Sequence, residues 1–253
     1  MNYLIIDIGN TNTDFIIFNR KNNKHFGKLL IDTNKITKNI SKINNYIKKY
    51  KPITALTSSV VPKSFEVLKS ILNRKKINLT EIKNKNVKIP LNVKLKNPNE
   101  VGSDRIANSV AAFKLFKTNS IVIDFGTATT FDVIVKNNYL GGMITPGINL
   151  SLNVLKYATA KLPLIKLKKT SKYIGKNTVS AMNNGMFWGY IGLIKELVRV
   201  INKETRNKFT IIFTGGLAHI FFKSVTHPKK IIDHDITLKG IIEILKLNYE
   251  NIK

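Results

Sequence analysis

The sequence predicts an α/β protein made of two similar domains, each a mixed sheet flanked by helices. Three observations predict it. At 253 residues the chain suits one or two domains of ~150 residues and is ample for a buried core. Short β-type runs joined by tight turns open the chain, and helix-period stretches alternating with single strands follow. The same pattern then restarts near the middle. LIIDIGNTNTDFII and IVIDFGTATTFDVI superimpose with Asp7 on Asp124, Gly9 on Gly126 and Thr13 on Thr130, at a constant offset of 117 residues.

The elements follow in order. Tyr3–Ile8, Thr13–Phe18 and Phe26–Ile31 read as three strands of an antiparallel meander, with turns at Asp7–Asn12 and Asn19–Asn23. Ile36, Ile40, Ile43 and Ile47 mark one helical face, which Pro52 ends. Ile53–Ser59 reads as a buried strand, and Pro62 opens a helix facing inward through Phe65, Leu68 and Leu72. Residues 75–98 are rich in Lys and Asn and predict a strand and loops. Asp104 precedes the apolar face of another helix, Ile106, Val110 and Phe113. In the second half, Ile121–Phe125, Phe131–Val135 and Tyr139–Met143 read as strands. A helix starts at Gly147, and a long one runs from Val179 to Val200. Phe209–Phe213 and Ile231–Ile232 predict strands, and Leu238–Leu247 a closing helix. The boundary is expected near residues 115–119, dividing 1–116 from 117–253.

Composition narrows the function. The chain has no cysteine, which excludes disulfide scaffolds, Cys-ligated zinc, iron–sulfur clusters and thiol nucleophiles. The formal net charge is +27, a footprint that suits nucleic acid or an anionic membrane. Lys is nevertheless spread along the chain rather than gathered on one arm, and Asn and Ile are abundant with it, so drift in composition is the favoured cause. The start, MNYLIIDIGNTN, has no basic region ahead of an apolar run. No apolar stretch approaches the ~20 residues of a membrane helix, so the expected compartment is the cytoplasm, without membrane or specific nucleic-acid partners. His25, His219, His227 and His234 show no metal-ligand spacing.

Three motifs carry chemistry. In Asp7-Ile8-Gly9-Asn10-Thr11-Asn12-Thr13, glycine permits close backbone approach, turn N–H groups with Asn and Thr side chains suit phosphate oxygens, and a strand-end Asp can orient hydrated Mg²⁺. An ordinary Asn-rich turn is the alternative. Asp124-Phe-Gly126-Thr127-Ala128-Thr129-Thr130 repeats the logic, and two such loops facing each other would hold a nucleotide's phosphate tail from both sides. Thr214-Gly215-Gly216, after a strand and before a helix, leaves room for a ribose or adenine and is weak alone.

Paired Asp-x-Gly hairpins with a late Thr-Gly-Gly resemble the superfamily of acetate and sugar kinases, heat-shock ATPases and actin. Within it the chain closely resembles type III pantothenate kinase, through SSVVP at 58–62, NPNEVGSDRIAN at 97–108, GGMITPGI at 141–148, ATAKLP at 158–163 and NTVSAM at 177–182. The resemblance implies duplicated actin-like, ribonuclease H-like domains and phosphorylation of pantothenate by ATP, the first step of coenzyme A synthesis. It further implies Mg²⁺, a monovalent cation (K⁺ or NH₄⁺) and a homodimer. Asp104 matches the catalytic base, and Gly102, Ser103, Asp104 and Arg105 match the pantothenate-binding turn. The residue types agree: a carboxylate can take the proton of a primary alcohol, and a guanidinium can pair with a carboxylate in a fork. Asp124 matches the monovalent-cation site and Thr127 an ATP contact. Residues Asp7 to Asp14 match the first phosphate loop, with Asp7 as the Mg²⁺-orienting acid, and Gly215 and Gly216 match the adenosine motif. Thr178 matches a pantothenate contact. The ordinary alternative for Asp104 and for Thr178 is a helix N-cap.

Two positions depart from the family pattern. Leu95, seven residues before Gly102, stands where a pocket Tyr is common, and Ile16 where Gly is frequent. Trp188, Phe187 and Tyr190 are expected in a core or a dimer contact, to which 179–200 contributes. Two other readings stay open: a kinase for another small hydroxylated substrate, and a non-catalytic regulatory or nucleic-acid-binding relative on the same fold.

Overall fold

A computed structural model describes residues 1–252. The chain forms two compact units. One comprises Met1–Phe116 together with the segment from Asp235 onward, and the other Lys117–His234.

In the first unit, β1 (Asn2–Ile8), β2 (Asn12–Asn19) and β3 (Lys24–Asp32) form the antiparallel meander. β4 (Ala55–Ser59) adds parallel to β1, and β5 (Leu79–Glu81) parallel to β4, giving the order β3-β2-β1-β4-β5. Helices α1 (Ile40–Tyr50), α2 (Pro62–Asn73) and α3 (Ser103–Ala111) follow their strands, with a two-residue strand, β6 (Asn92–Val93), ahead of α3. The isoleucine face begins earlier than its α-helix. Ile36 lies between two 3-10 turns, Thr33–Lys35 and Thr37–Asn39, and is buried there. Lys51, at φ 46°, stops α1 with its N–H on the Ile47 carbonyl, and Pro52 cannot resume it. Pro62 takes the first position of α2, where the missing N–H has no partner to lose. α3 widens into a π turn over Ala112–Phe116 and ends at Lys117, φ 52°.

The second unit repeats the arrangement. β7 (Ser120–Phe125), β8 (Ala128–Val135) and β9 (Asn138–Pro146) form the meander, and β10 (Thr210–Gly215) and β11 (Lys230–Ile232) add in parallel, in the order β11-β10-β7-β8-β9. Helices α4 (Ile148–Tyr157), α5 (Thr178–Thr205) and α6 (Ala218–Phe222) connect them. Phe125 stacks on Phe213 and Phe221 in a core that includes Phe187 and Tyr190. Those two aromatics of α5 are therefore interior. Trp188 stacks on Tyr173 and donates its indole N–H to the Lys172 carbonyl.

Two expectations are corrected. The closing helix α7 (Ile236–Lys246) belongs with the first unit, where it packs on α3, β1 and β4. Ile236, Leu238, Ile241, Ile242, Ile244 and Leu245 are all buried, so α7 is apolar on most of its circumference and needs a deep seat. It covers the face of the first sheet opposite α1 and α2, which is why β1 reads as a continuous apolar run. The repeat also slips by one residue. Asp7 pairs with Asp14 and Ile8 with Thr13, whereas Asp124 pairs with Thr130 and Phe125 with Thr129. The first hairpin loop is one residue longer, so Thr13 corresponds spatially to Thr129, and Asp14 to Thr130.

Candidate active site

The β1–β2 turn is braced. Gly9 donates its N–H to the Asn12 carbonyl at 2.9 Å, leaving Asn10 and Thr11 exposed at the tip. Thr33, just after β3, holds the turn from behind. Its N–H donates to the Thr11 carbonyl at 2.9 Å, its hydroxyl to the Gly9 carbonyl at 2.7 Å, and its oxygen lies 3.0 Å from the buried Thr13 hydroxyl. No motif points to Thr33, because its role arises from the β2–β3 pairing. Asp7 and Asp14 face one another across the hairpin. Lys28 reaches Asp14 at 3.4 Å and Asp235 at 2.7 Å. Burial pushes the Asp14 carboxyl above its usual range, against the pull of Lys28.

The Gly102–Arg105 turn lies in the same unit. The helix N-cap is Gly102, so Asp104 is not the cap; it is the second residue of α3. Its Oδ1 accepts from the Arg105 N–H at 2.7 Å. A Cβ on Gly102 would sit 2.5 Å from that same oxygen, so the glycine is what allows the carboxylate to fold back over the turn. Burial raises the Asp104 pKa, while hydrogen bonding to the Arg105 N–H and the nearby Arg105 and Lys83 charges oppose the rise. Arg105 and Leu95 are both half-buried. Ser103 is buried and fastens α3 to the end of β4 through Ser59. Ser59 pairs with Ile8, and Val60 donates its N–H to the Ile8 carbonyl at 3.1 Å. A short path of backbone and hydroxyl bonds thus links the start of the β1–β2 turn to the helix end that carries Asp104.

The second unit holds its own group of predicted residues. Gly126 donates its N–H to the Ala128 carbonyl at 3.1 Å, and Gly147 donates to the Thr127 carbonyl at 3.1 Å. Gly147 is pressed so closely on the Gly126 and Thr127 carbonyls that no side chain fits. β10 brings Gly215 beside Asp124: at φ +84°, a Cβ there would lie 2.5 Å from Asp124 Oδ1. Gly216 and Thr127 are exposed. Thr178 is the first residue of α5, exposed, and is not the cap. Asn177 caps the helix by accepting the Ser180 N–H at 2.9 Å, and the Ser180 hydroxyl accepts the Asn177 N–H in return.

The site chemistry suits hard cations and phosphate oxygens. Asp7 and Asp124 each lie one residue before the end of a strand with one parallel and one antiparallel neighbour, beside a turn. Among the described residues no cluster of three or more His, Asp or Glu forms a metal cage.

Comparison with known proteins identifies the family. The type III pantothenate kinase family model matches residues 3–200. A type III pantothenate kinase of Pelagibacter ubique is 42% identical, covering 96% of this chain and 98% of that protein. One of Bacillus cytotoxicus is 34% identical over 96% and 95%. Among solved structures, a protein described as a Baf family transcriptional activator from Campylobacter jejuni has a TM-score of 0.64 at 23% identity, covering 97% of this chain and 98% of that one. A glucokinase from an Antarctic psychrotroph has a TM-score of 0.52 at 10% identity, covering 97% and 99%. These two likenesses show the actin-like kinase fold, and the sequence relatives show more: the chain belongs to the type III pantothenate kinase family.

Proposed function

We propose a division of labour among these residues for the family's reaction, the transfer of the ATP γ-phosphoryl group to pantothenate, giving 4′-phosphopantothenate for coenzyme A synthesis. Asp104 takes the proton of the pantothenate hydroxyl as oxygen attacks phosphorus. The observation that carries this is a half-buried carboxylate, its pKa raised by burial, mounted on a helix end bonded to β4. A raised pKa makes a carboxylate a better base at neutral pH. Arg105 pairs with the pantothenate carboxylate, with Thr178 and Leu95 as further pocket residues.

Both hairpins serve the nucleotide: residues 7–14 and Thr127 bind phosphate oxygens, and Gly215 and Gly216 admit the adenosine. Asp7 would hold Mg²⁺ through its water, and Asp124 a monovalent cation. These ions supply positive charge against the phosphate oxygens, and the protein's part is to align donor and acceptor. Leu95 cannot give the hydrogen bond of a pocket Tyr, so pantothenate is held there by apolar contact.

A homodimer is proposed from an apolar surface on the second unit, where Ile144, Val154, Tyr157, Tyr173, Ile174 and Val179 are exposed. No described helix is long and apolar enough to cross a membrane, and the cytoplasm is the proposed compartment. The test is pantothenate-dependent ADP release with Mg²⁺, with and without K⁺, in the native chain and Asp104→Asn. K⁺-dependent turnover that collapses in the variant supports the base and cation assignments. No turnover by the native chain would overturn the substrate assignment.

A further inference from the structure

The backbone leading into Gly102 is pinned from outside the segment by a lysine beyond β5. Lys83, two residues beyond β5, donates from Nζ to the Asn99 carbonyl at 2.6 Å and the Val101 carbonyl at 2.9 Å. Asn99 belongs to a 3-10 turn, Pro98–Glu100, in which the Glu100 N–H donates to the Asn97 carbonyl at 3.1 Å and the Asn97 amide donates to Glu100 Oε1 at 2.7 Å. Val101 is 3% exposed, so the ammonium anchors this segment against the body of the unit. We propose that Lys83 is a positioning residue for phosphoryl transfer: by fixing the Asn99 and Val101 carbonyls it sets where Asp104 and Arg105 stand.

The proposal rests on the assignment of Asp104 as base. A cation that binds two carbonyls orders a loop more firmly than a neutral donor, and a shift of ~1 Å at a base is costly to rate. Lys83 also acts through its charge. The ionisable groups around Asp104 are Arg105 on its own helix and Lys83, and both charges favour the carboxylate. Glu81, at the end of β5, likewise feels Lys83, while burial raises its pKa.

The experiment compares Lys83→Met, Lys83→Arg and Asp104→Asn in the full chain, by kcat and KM across pH and by thermal melting. Lys83→Met is expected to lower kcat about tenfold. It should also move the acidic limb of the kcat profile to higher pH. Lys83→Arg, which keeps the charge and donors, should restore most of both. An unchanged kcat and acidic limb in Lys83→Met overturns the proposal. So does a lower melting temperature with native kcat per folded molecule, which marks a merely structural lysine. Full turnover by Asp104→Asn overturns the base assignment instead, and Lys83 is then judged on the kcat difference between its Met and Arg variants.

Discussion

The Ser103 hydroxyl grips both sides of one residue: it accepts the Ser59 N–H at 2.8 Å and donates to the Ser59 carbonyl at 2.7 Å. β5 ends at Glu81, opposite Thr57, so beyond that point β4 has lost its strand neighbour on that edge. A side chain from α3 takes over as partner, and α3 carries Asp104 one residue later. The end of β4 and the start of α3, which carries the proposed base, are thereby joined directly.

Ser103→Ala removes that partner and leaves the N–H and carbonyl of half-buried Ser59 without it. A loss of about 1–3 kcal/mol in stability is expected, with a fall in kcat larger than any change in KM for ATP. Urea unfolding and steady-state kinetics read the two effects. Native kcat with a native unfolding midpoint would remove Ser103 from the positioning path.

Asp104→Asn separates activity from stability. The Asp104 pKa is higher in the folded chain than the ordinary value, chiefly through burial. Such a carboxyl binds its proton more tightly when folded. Its ionisation therefore costs stability, which falls as pH rises through the folded pKa and is recovered below the unfolded one. Asn carries no such cost. The variant should lose ~10²–10⁴ in kcat/KM while melting at or above the native temperature at pH 7.5. That advantage should shrink toward pH 4. A variant that melts lower at pH 7.5 and keeps its activity would contradict both parts.

Gly215→Ala tests the second unit. The residue sits at φ +84°, and its Cβ would meet Asp124 Oδ1 and the Phe125 N–H. Strain and displacement of Asp124 act together. We expect about 1–3 kcal/mol of destabilisation, a raised KM for ATP and weakened activation by K⁺. A K⁺ titration of the rate checks this, and native activation would dissociate Asp124 from the cation.

Gly240→Ala reverses a familiar sign. In an exposed helix interior the change stabilises by about 1 kcal/mol. Here the added methyl would run into the Ala107 carbonyl across the α3–α7 crossing, so about 1–3 kcal/mol of destabilisation is expected from overpacking. Differential scanning calorimetry decides between the signs.

Much of the site was legible in the sequence because its parts are local. Asp7-x-Gly9 and Asp124-x-Gly126 announce strand ends followed by tight turns, and the Gly102–Arg105 turn is contiguous. The capping roles were less legible. Asp104 and Thr178 each precede an apolar helical face, yet the caps fell to Gly102 and Asn177, because one residue of register separates a cap from a first-turn position. Thr33, Ser59 and Lys83 gave no local signal. Thr33 braces the β1–β2 turn from 24 residues beyond Gly9, and Ser59 meets Ser103 across 44 residues. Lys83 is one lysine in a chain full of them.

The sequence by itself determined the two hairpins, their repetition and the residue types of the chemistry, since strand period, glycine turns and charge are written residue by residue. Only the tertiary structure decided the unit to which α7 belongs, the one-residue slip between the hairpins and the bonds behind Asp104. Helix α7 is apolar almost all round, so its own pattern names no partner; the seat on α3 at Ala107 and Gly240 does. The slip depends on strand pairing, and the bonds to Ser59 and Lys83 join segments that only folding brings together.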